Sequence, residues 1–161
     1  MNQISLVIGA FMLLSLLTIS VNKSIIQKAD DTYQSESVIT ASTLAQAMLE
    51  EVTLRAFDQN TDTASVSTAA GLTAAASLGK EYGEIYPTKY NDIDDFNGFR
   101  CYDTCKVGIF KDSVVVTYAN PNFPDSTSNS QTFYKKITVR VINVDTTKMK
   151  VPVLLTTVVT Y

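Results

Sequence analysis

Residues 1–57 decide the fold of this chain, and they run MNQISLVIGAFMLLSLLTISVNKSIIQKADDTYQSESVITASTLAQAMLEEVTLRAF. No proline occurs before Pro87, and Gly9 is the only glycine before Gly71. Because proline and glycine are the residues that most often interrupt a helix, this stretch predicts one continuous α-helix.

The first part of the predicted helix, residues 1–24, is apolar. The run from Ile4 to Val21 carries no charged side chain, and at about 1.5 Å per residue it covers about 27 Å, close to the hydrocarbon thickness of a bilayer. A secretory signal peptide would begin with basic residues, but none precedes Lys23. We therefore expect residues 1–24 to be retained as a membrane anchor.

The orientation of this anchor depends on the native start of the chain. Lys23 and Lys28 would lie in the cytoplasm if Met1 were the native start, whereas removal of a basic leader before Met1 would fit an extracytoplasmic domain.

The second part, residues 25–57, is amphipathic. Apolar or small residues recur every three or four positions, at Ile26, Ala29, Tyr33, Ser37, Ala41, Leu44, Met48 and Val52. One such stripe on a polar helix is typical of a helix that packs against its own domain. We expect Leu44 to Phe57 to pack on a sheet, and the more charged Ser24 to Val38 to face solvent or partners.

The remaining residues predict a connection followed by a sheet. Residues 58–98 are first rich in Ala, Ser, Thr and Gly and then polar and aromatic, which indicates a long connecting loop region with a short helix near Leu72 to Leu78. Residues 99–161 are rich in β-branched and aromatic residues. Strands are expected at Phe99 to Tyr102, Lys106 to Phe110, Ser113 to Ala119, Thr132 to Val144 and Val151 to Thr160, with turns at KDS and NPNFPDSTSNS. The predicted fold class is α+β, with the long N-terminal helix packed on a C-terminal antiparallel β-sheet.

The composition excludes several function classes. The net charge is -3, which provides no basic surface for phosphates, so no nucleic-acid partner is expected. The chain has no histidine, the commonest general base and metal ligand, so we expect no catalytic residues and no enzyme activity.

Four features in a fixed order resemble the bacterial type IV pilin and pseudopilin superfamily: an uncharged apolar N-terminus, its continuation into ASTLAQAMLEEV, the loop YNDIDDFNGF, and the closing pair KKITVRVINV and VPVLLTTVVT. The resemblance covers nearly the whole chain and is strongest to minor pilins. It implies a pilin-like fold and an inner-membrane precursor. It also implies cleavage by a prepilin peptidase, methylation of the first residue, and packing by pilus assembly machinery into a helical filament of identical subunits at the cell surface.

The chain departs from this family at two positions. Ser5 stands where most pilins carry glutamate, and Asn22 stands where a proline commonly interrupts the helix. These departures favour a divergent filament or a minor subunit over a standard major pilin.

A membrane span attached to a soluble head leaves lipid only if an equally apolar surface receives it, and other copies of the same helix provide one. Gly9 and Ala10 are small enough for close helix packing. The residues expected to direct assembly are Met1, Ile4, Ser5, Val7, Phe11 and Leu14. Two other functions stay open: a minor pseudopilin of a type II secretion-like system, and a single-pass membrane-anchored binding module.

The two cysteines, Cys101 and Cys105, occur in CYDTC. Two cysteines without histidine make a poor zinc site, and the spacing differs from that of the CxxC redox motif. For an exported protein the simplest interpretation is a disulfide between them.

An acidic loop precedes the cysteines. Asp92, Asp94 and Asp95 place oxygen ligands close together, but Phe96 and Gly98 break the EF-hand pattern. Some pseudopilins bind calcium through a loop, so the resemblance keeps calcium open as a cofactor. The alternative is a turn stabilised by its own acidic side chains. No other cofactor is expected.

Overall fold

The structure is a computed structural model that describes residues 3–161, without the side chain of Thr63. The chain divides into two compact units, one ending at Glu36 and the other running from Ser37 to Tyr161. The helices and strands are α1 Gln3–Thr53, α2 Gln59–Thr63, β1 Arg100–Cys105, β2 Gly108–Asn120, β3 Phe123–Ser128, β4 Tyr134–Asn143 and β5 Val153–Thr160. Three short 3₁₀ helices are Ala69–Gly71, Ala75–Ser77 and Asp94–Phe96.

The α+β fold predicted from the sequence is confirmed. Within the second unit, α1 packs on a sheet of five antiparallel strands ordered β1-β2-β4-β5, with β3 paired to β2. The buried residues of α1 are Ser37, Ala41, Ala45, Met48 and Val52. They follow one another at steps of three or four, as the predicted stripe does. The difference is at one position, where Ala45 is buried and the predicted Leu44 is only half-buried.

The helix ends at Thr53, four residues before the predicted end. Beyond this point the backbone pairs with the acidic loop instead of continuing the helix. The Ala56 N–H donates to Asn91 O at 3.1 Å, and the Ile93 N–H donates to Ala56 O at 2.9 Å. These two bonds fasten the end of α1 to the loop that the sequence marked as a candidate site.

The core lies between α1 and the central strands. Strand β4 alternates half-buried and buried residues along its whole length, so one face of it packs on the helix. Its buried Ile137, Val139 and Val141 meet Val114 and Val116 of β2 in one hydrophobic cluster.

Of two predicted turns, one is wrong and the other is only partly a turn. KDS lies inside β2, where Asp112 occupies a buried position between the buried Phe110 and Val114. The chain actually reverses at Lys106 and Val107, since Cys105 pairs with Gly108. The polar triplet looked like a turn because an aspartate stands where the alternating pattern calls for an apolar residue. The other, NPNFPDSTSNS, reverses the chain at Pro121 and Asn122, where Asn120 pairs with Phe123, and then continues as the exposed strand β3.

Strands β1 and β3 pair with different ends of the same edge of β2, because β4 occupies the opposite edge. The gap between them is closed by the segment Asn97–Phe99. The Gly98 N–H donates to Val114 O, and the Val114 N–H donates to Phe99 O, both at 3.1 Å. The side-chain oxygen of Asn97 accepts from the Val116 N–H at 3.1 Å. The end of the connecting region thus continues the sheet at this edge.

Candidate functional site

The most exposed apolar surface is the N-terminal part of α1. Of the residues predicted to direct assembly, Ile4 is 71% exposed, Val7 53%, Phe11 65% and Leu14 59%, and Ser5 is exposed as well. Met1 lies outside the described residues. The helix is long and apolar enough to cross a membrane by length and composition. A helix that is apolar on every side is typical of one surrounded by lipid or by other protein.

Two hydroxyl groups on this surface are satisfied within the helix. The Ser15 hydroxyl donates to Phe11 O, and the Thr18 hydroxyl donates to Leu14 O, both at 2.9 Å. Such bonds to the carbonyl four residues back remove the need for water. At Gly9, a Cβ atom would meet nothing within 4 Å, so a neighbouring helix has room to approach there.

The three aspartates of the acidic loop are buried but do not share one ligand position. Asp94 is bound to Lys135, with 2.5 Å between Oδ1 and Nζ. Asp95 Oδ2 accepts from the Asn91 N–H at 2.8 Å and from the Asp92 N–H at 3.3 Å. Asp92 Oδ1 accepts from the Asp95 N–H at 3.2 Å. These bonds to the loop's own backbone are those of the turn alternative.

Asp95 instead meets two glutamates from the connecting region. One carboxylate oxygen each from Glu81, Glu84 and Asp95 lie within 4.8 Å of one another. Burial and the neighbouring Glu84 raise the pKa of Asp95 to about 6 and that of Glu81 to about 8. Burial also tends to raise the pKa of Glu84, but hydrogen bonds from the Asp95 and Glu81 side chains outweigh it and lower that pKa. The group therefore has proton-sharing carboxyls, and Asp92 and Asp94 are not members of it.

Lys135 is the centre of a buried ionic group that the sequence analysis missed. Its side chain is fully buried, and Nζ lies 2.9 Å from Asp58 Oδ2 and 2.5 Å from Asp94 Oδ1. It also donates to Phe57 O at 2.6 Å and lies 5.4 Å from the centre of the Tyr118 ring. One lysine thus serves two carboxylates, which leaves a net negative charge if both are ionised.

The two carboxyls respond differently to this shared lysine. Burial raises the pKa of Asp58, but Lys135 and the N–H groups of Thr73 and Asn60 more than offset that effect, so its pKa is lowered. Asp94 has fewer partners, and burial raises its pKa to about 7 in spite of Lys135. Asp58 therefore carries the charge that balances Lys135. Asp58 also caps α2 through the Asn60 N–H at 3.1 Å, which makes the group structural.

One signal in the sequence could have found Lys135. Lys135 is separated by an even number of residues from Ile137, Val139 and Val141, the residues of β4 that face the core. It therefore lies on the same face of the strand. A lysine in register with a buried face must have a buried counter-charge, since an unpaired buried ammonium is very costly.

The predicted disulfide between Cys101 and Cys105 is wrong for this fold. Both thiols are free, and both residues lie on β1. Residues four apart on an extended strand have Cα atoms about 13 Å apart, whereas a disulfide needs them within about 7 Å. CYDTC lies within β1, so its extended backbone keeps the two thiols apart.

The chain matches no family model, no curated protein and no solved structure. Its function therefore has to be argued from the chemistry of these surfaces.

Proposed function

We propose that this chain is a structural subunit of a type IV pilus-like extracellular filament that polymerises through the apolar part of α1. Before assembly the subunit is held in the inner membrane by the same helix. The neighbours in the filament are identical subunits. The pilus assembly machinery and prepilin peptidase are partners implied by the resemblance to pilins.

The observation that carries this proposal is the exposure of the apolar helix. Every large hydrophobic side chain between Ile4 and Val21 is at least half exposed. Burying one such side chain stabilises by about 1.5–3 kcal/mol, so about a dozen of them strongly favour any state that removes them from water. Lipid provides one such state, and a bundle of identical helices provides the other.

Two features suit burial of this helix in such a bundle. The hydroxyls of Ser15 and Thr18 are already bonded to the helix backbone, so they can be buried against another helix at little cost. The open surface at Gly9 gives a partner helix a position for close approach. The second unit, residues 37–161, has a hydrophobic core of its own between the sheet and its helix. This core fits a head domain that stays folded both while the apolar helix is anchored in the membrane and after assembly into the filament.

The test is a pair of identical substitutions at equally exposed positions. Leu14 is 59% exposed and Leu154, on β5, is 58% exposed. Leu14→Lys would place an unpaired charge among packed helices, at a cost of several kcal/mol per subunit. Leu154→Lys would leave its charge in water on the head. We expect filaments from Leu154→Lys and the unsubstituted chain, and none from Leu14→Lys although the subunit still accumulates in the membrane.

Filaments are detected by electron microscopy of material sheared from cells, and the chain is identified in them by peptide sequencing. Normal filaments from Leu14→Lys would contradict the proposed helical core. The presence of this chain only in short periplasmic structures would favour a pseudopilin of a secretion system. Its presence only in the membrane fraction would favour an anchored binding module.

A further inference from the structure

Three titratable side chains meet where β1 pairs with β2, at a place that the proposed filament does not use. Cys101 lies directly opposite Asp112 in the register of the two strands. Asp103 is two residues further along β1, so it faces the same side of the sheet as Cys101. The Cys101 thiol sulfur and one carboxylate oxygen each from Asp103 and Asp112 all lie within 4.8 Å of one another.

One member of this group is buried with an unsatisfied atom. Asp112 is only 1% exposed, and its Oδ1 atom has no hydrogen-bond partner in the described part of the chain. A buried acceptor without a partner is uncommon in native proteins, because losing its hydration is costly. The unpaired oxygen belongs to the residue that completes the three-ligand group, which points to a ligand that supplies positive charge.

The surroundings of the group are acidic. Burial raises the pKa of Asp112 to about 7, and Asp103 adds to this effect through its charge and through a proton shared between the two carboxyls. Burial raises the pKa of the Cys101 thiol to about 12, with further contributions from Asp112, Asp103 and Glu51. Arg55 lies 3.6 Å from Glu51, but this pair is about one-third exposed, so screening by water limits its effect on the buried group. A bound cation would offset the repulsion that these acidic groups exert on one another.

We propose that Cys101, Asp103 and Asp112 form a zinc site that joins the edge strand β1 to the centre of the sheet. Zinc accepts thiolate and carboxylate ligands together, whereas calcium and magnesium prefer oxygen alone. Ligand atoms around tetrahedral zinc are about 3.5 Å apart, given bonds of about 2.3 Å to sulfur and about 2.0 Å to oxygen. The three ligand atoms already lie within 4.8 Å of one another, and solvent would take the fourth position.

Zinc binding at this site requires the Cys101 thiol and the Asp103 and Asp112 carboxyls in their deprotonated forms. The Cys101 proton is released to solvent as the zinc–sulfur bond forms, so affinity increases with pH. The sequence analysis disfavoured zinc because it considered only the two cysteines and the absence of histidine. The carboxylate of Asp112 reaches Cys101 only through the pairing of β1 with β2. The inference is independent of the proposed filament, since every ligand belongs to the head.

The test uses the purified full-length chain in detergent under reducing conditions, with Co²⁺ as a spectroscopic probe. We expect one Co²⁺ per chain, a thiolate-to-cobalt charge-transfer band, and loss of that band when Zn²⁺ is added. Cys101→Ser should abolish the band, and Asp112→Asn should weaken binding at least tenfold. Cys105→Ser is the matched control, since it removes the other thiol of β1, and it should keep the band. Absence of the band, or its loss only in Cys105→Ser, would overturn the proposal.

A second measurement needs no substitution and so does not depend on a variant that folds. Zn²⁺ should slow alkylation of Cys101 at least tenfold and leave Cys105 unaffected, as measured by peptide mass spectrometry over time. Equal alkylation of Cys101 with and without Zn²⁺ would show that the three side chains bind no zinc and only share protons among themselves.

Discussion

Replacing Lys135 with methionine tests the buried ionic group at the centre of the head. Methionine keeps most of the length and apolar contact of the lysine side chain but removes its charge and its three donors. The variant therefore leaves Asp58 without the partner at 2.9 Å and Asp94 without the partner at 2.5 Å. The main-chain oxygen of Phe57 also loses its donor at 2.6 Å.

The expected loss follows from the burial of the whole group. Lys135, Asp58 and Asp94 are all at most 1% exposed, and removing one partner of a buried ion pair costs about 3–5 kcal/mol. For a domain of this size each kcal/mol shifts the melting temperature by about 4 °C. Lys135→Met should therefore melt about 12–20 °C below the unsubstituted chain at neutral pH.

The loss should depend on pH in a defined direction. In the unsubstituted chain the pKa of Asp58 is lowered, so the stability it contributes is present above its unfolded pKa and is lost as the pH falls through the folded value. In Lys135→Met the same carboxyl is buried without its cation, so its folded pKa is raised and protonation favours the folded state. The difference in stability between the two proteins should therefore shrink between pH 7.5 and pH 4.5.

The assay is thermal unfolding followed by circular dichroism, with the full-length chain in detergent. Lys136→Met is the matched control, because the neighbouring lysine donates only to Asp125 O at 2.8 Å in an exposed position, and its loss should change stability by less than about 0.5 kcal/mol. Equal losses in the two variants, or a Lys135→Met deficit that is the same at both pH values, would refute the assigned role of the buried group.

Three further predictions concern other parts of the chain. Ser5→Ala should still assemble into filaments, because a hydroxyl contact is worth only about 0.5–1.5 kcal/mol. Electron microscopy of sheared filaments measures this. Complete loss of filaments, with a normal amount of the subunit in the membrane, would contradict the prediction. The melting temperature should rise as the pH falls from 8 to about 5.5, because burial raises the pKa of Asp95 to about 6 and of Asp94 to about 7. The folded state therefore binds more protons than the unfolded state and loses stability as the pH rises through these values. A calorimetric profile in which the melting temperature is constant or increases with pH would count against this prediction. Gly108→Ala should lower the free energy of unfolding by about 1–3 kcal/mol, because φ is +142° and a Cβ would lie 2.8 Å from a side-chain nitrogen on β4. Gly83 also has a positive φ, but a Cβ there would meet nothing within 4 Å. Gly83→Ala should therefore lose less stability in the same denaturant titration.

The fold class could be predicted from the sequence because its main signals are local. The apolar run after Ile4, the stripe that ends at Val52 and the alternation along β4 each fall within one element, and each corresponds to a helix or strand in the structure. The end of α1 was predicted too late, because nothing local marks Thr53 as the last residue. The helix ends there because Ala56 pairs with the distant Asn91 and Ile93.

The charged groups could not be assembled from the sequence for the same reason. Lys135 meets Asp58 and Asp94 across separations of 77 and 41 residues, and no periodicity reports such a contact. The sequence analysis identified the acidic loop, but it left open whether Asp92, Asp94 and Asp95 share a calcium ion or stabilise a turn. The folded chain instead directs Asp94 to Lys135 and Asp95 to glutamates of the connecting region.

The closure of the β2 edge by Asn97 and Gly98 has a consequence for the chemical ageing of this protein. Asparagine followed by glycine deamidates readily, because the unhindered glycine nitrogen can attack the side-chain carbonyl. Here the Gly98 N–H is bonded to Val114 O, and the Asn97 side chain is held at both ends, donating to Leu78 O at 2.9 Å and accepting from the Val116 N–H at 3.1 Å. The folded sheet therefore holds the attacking nitrogen and the side-chain carbonyl in fixed positions, which slows deamidation. The extent of deamidation at Asn97 should then increase with the number of times that this edge of the sheet opens.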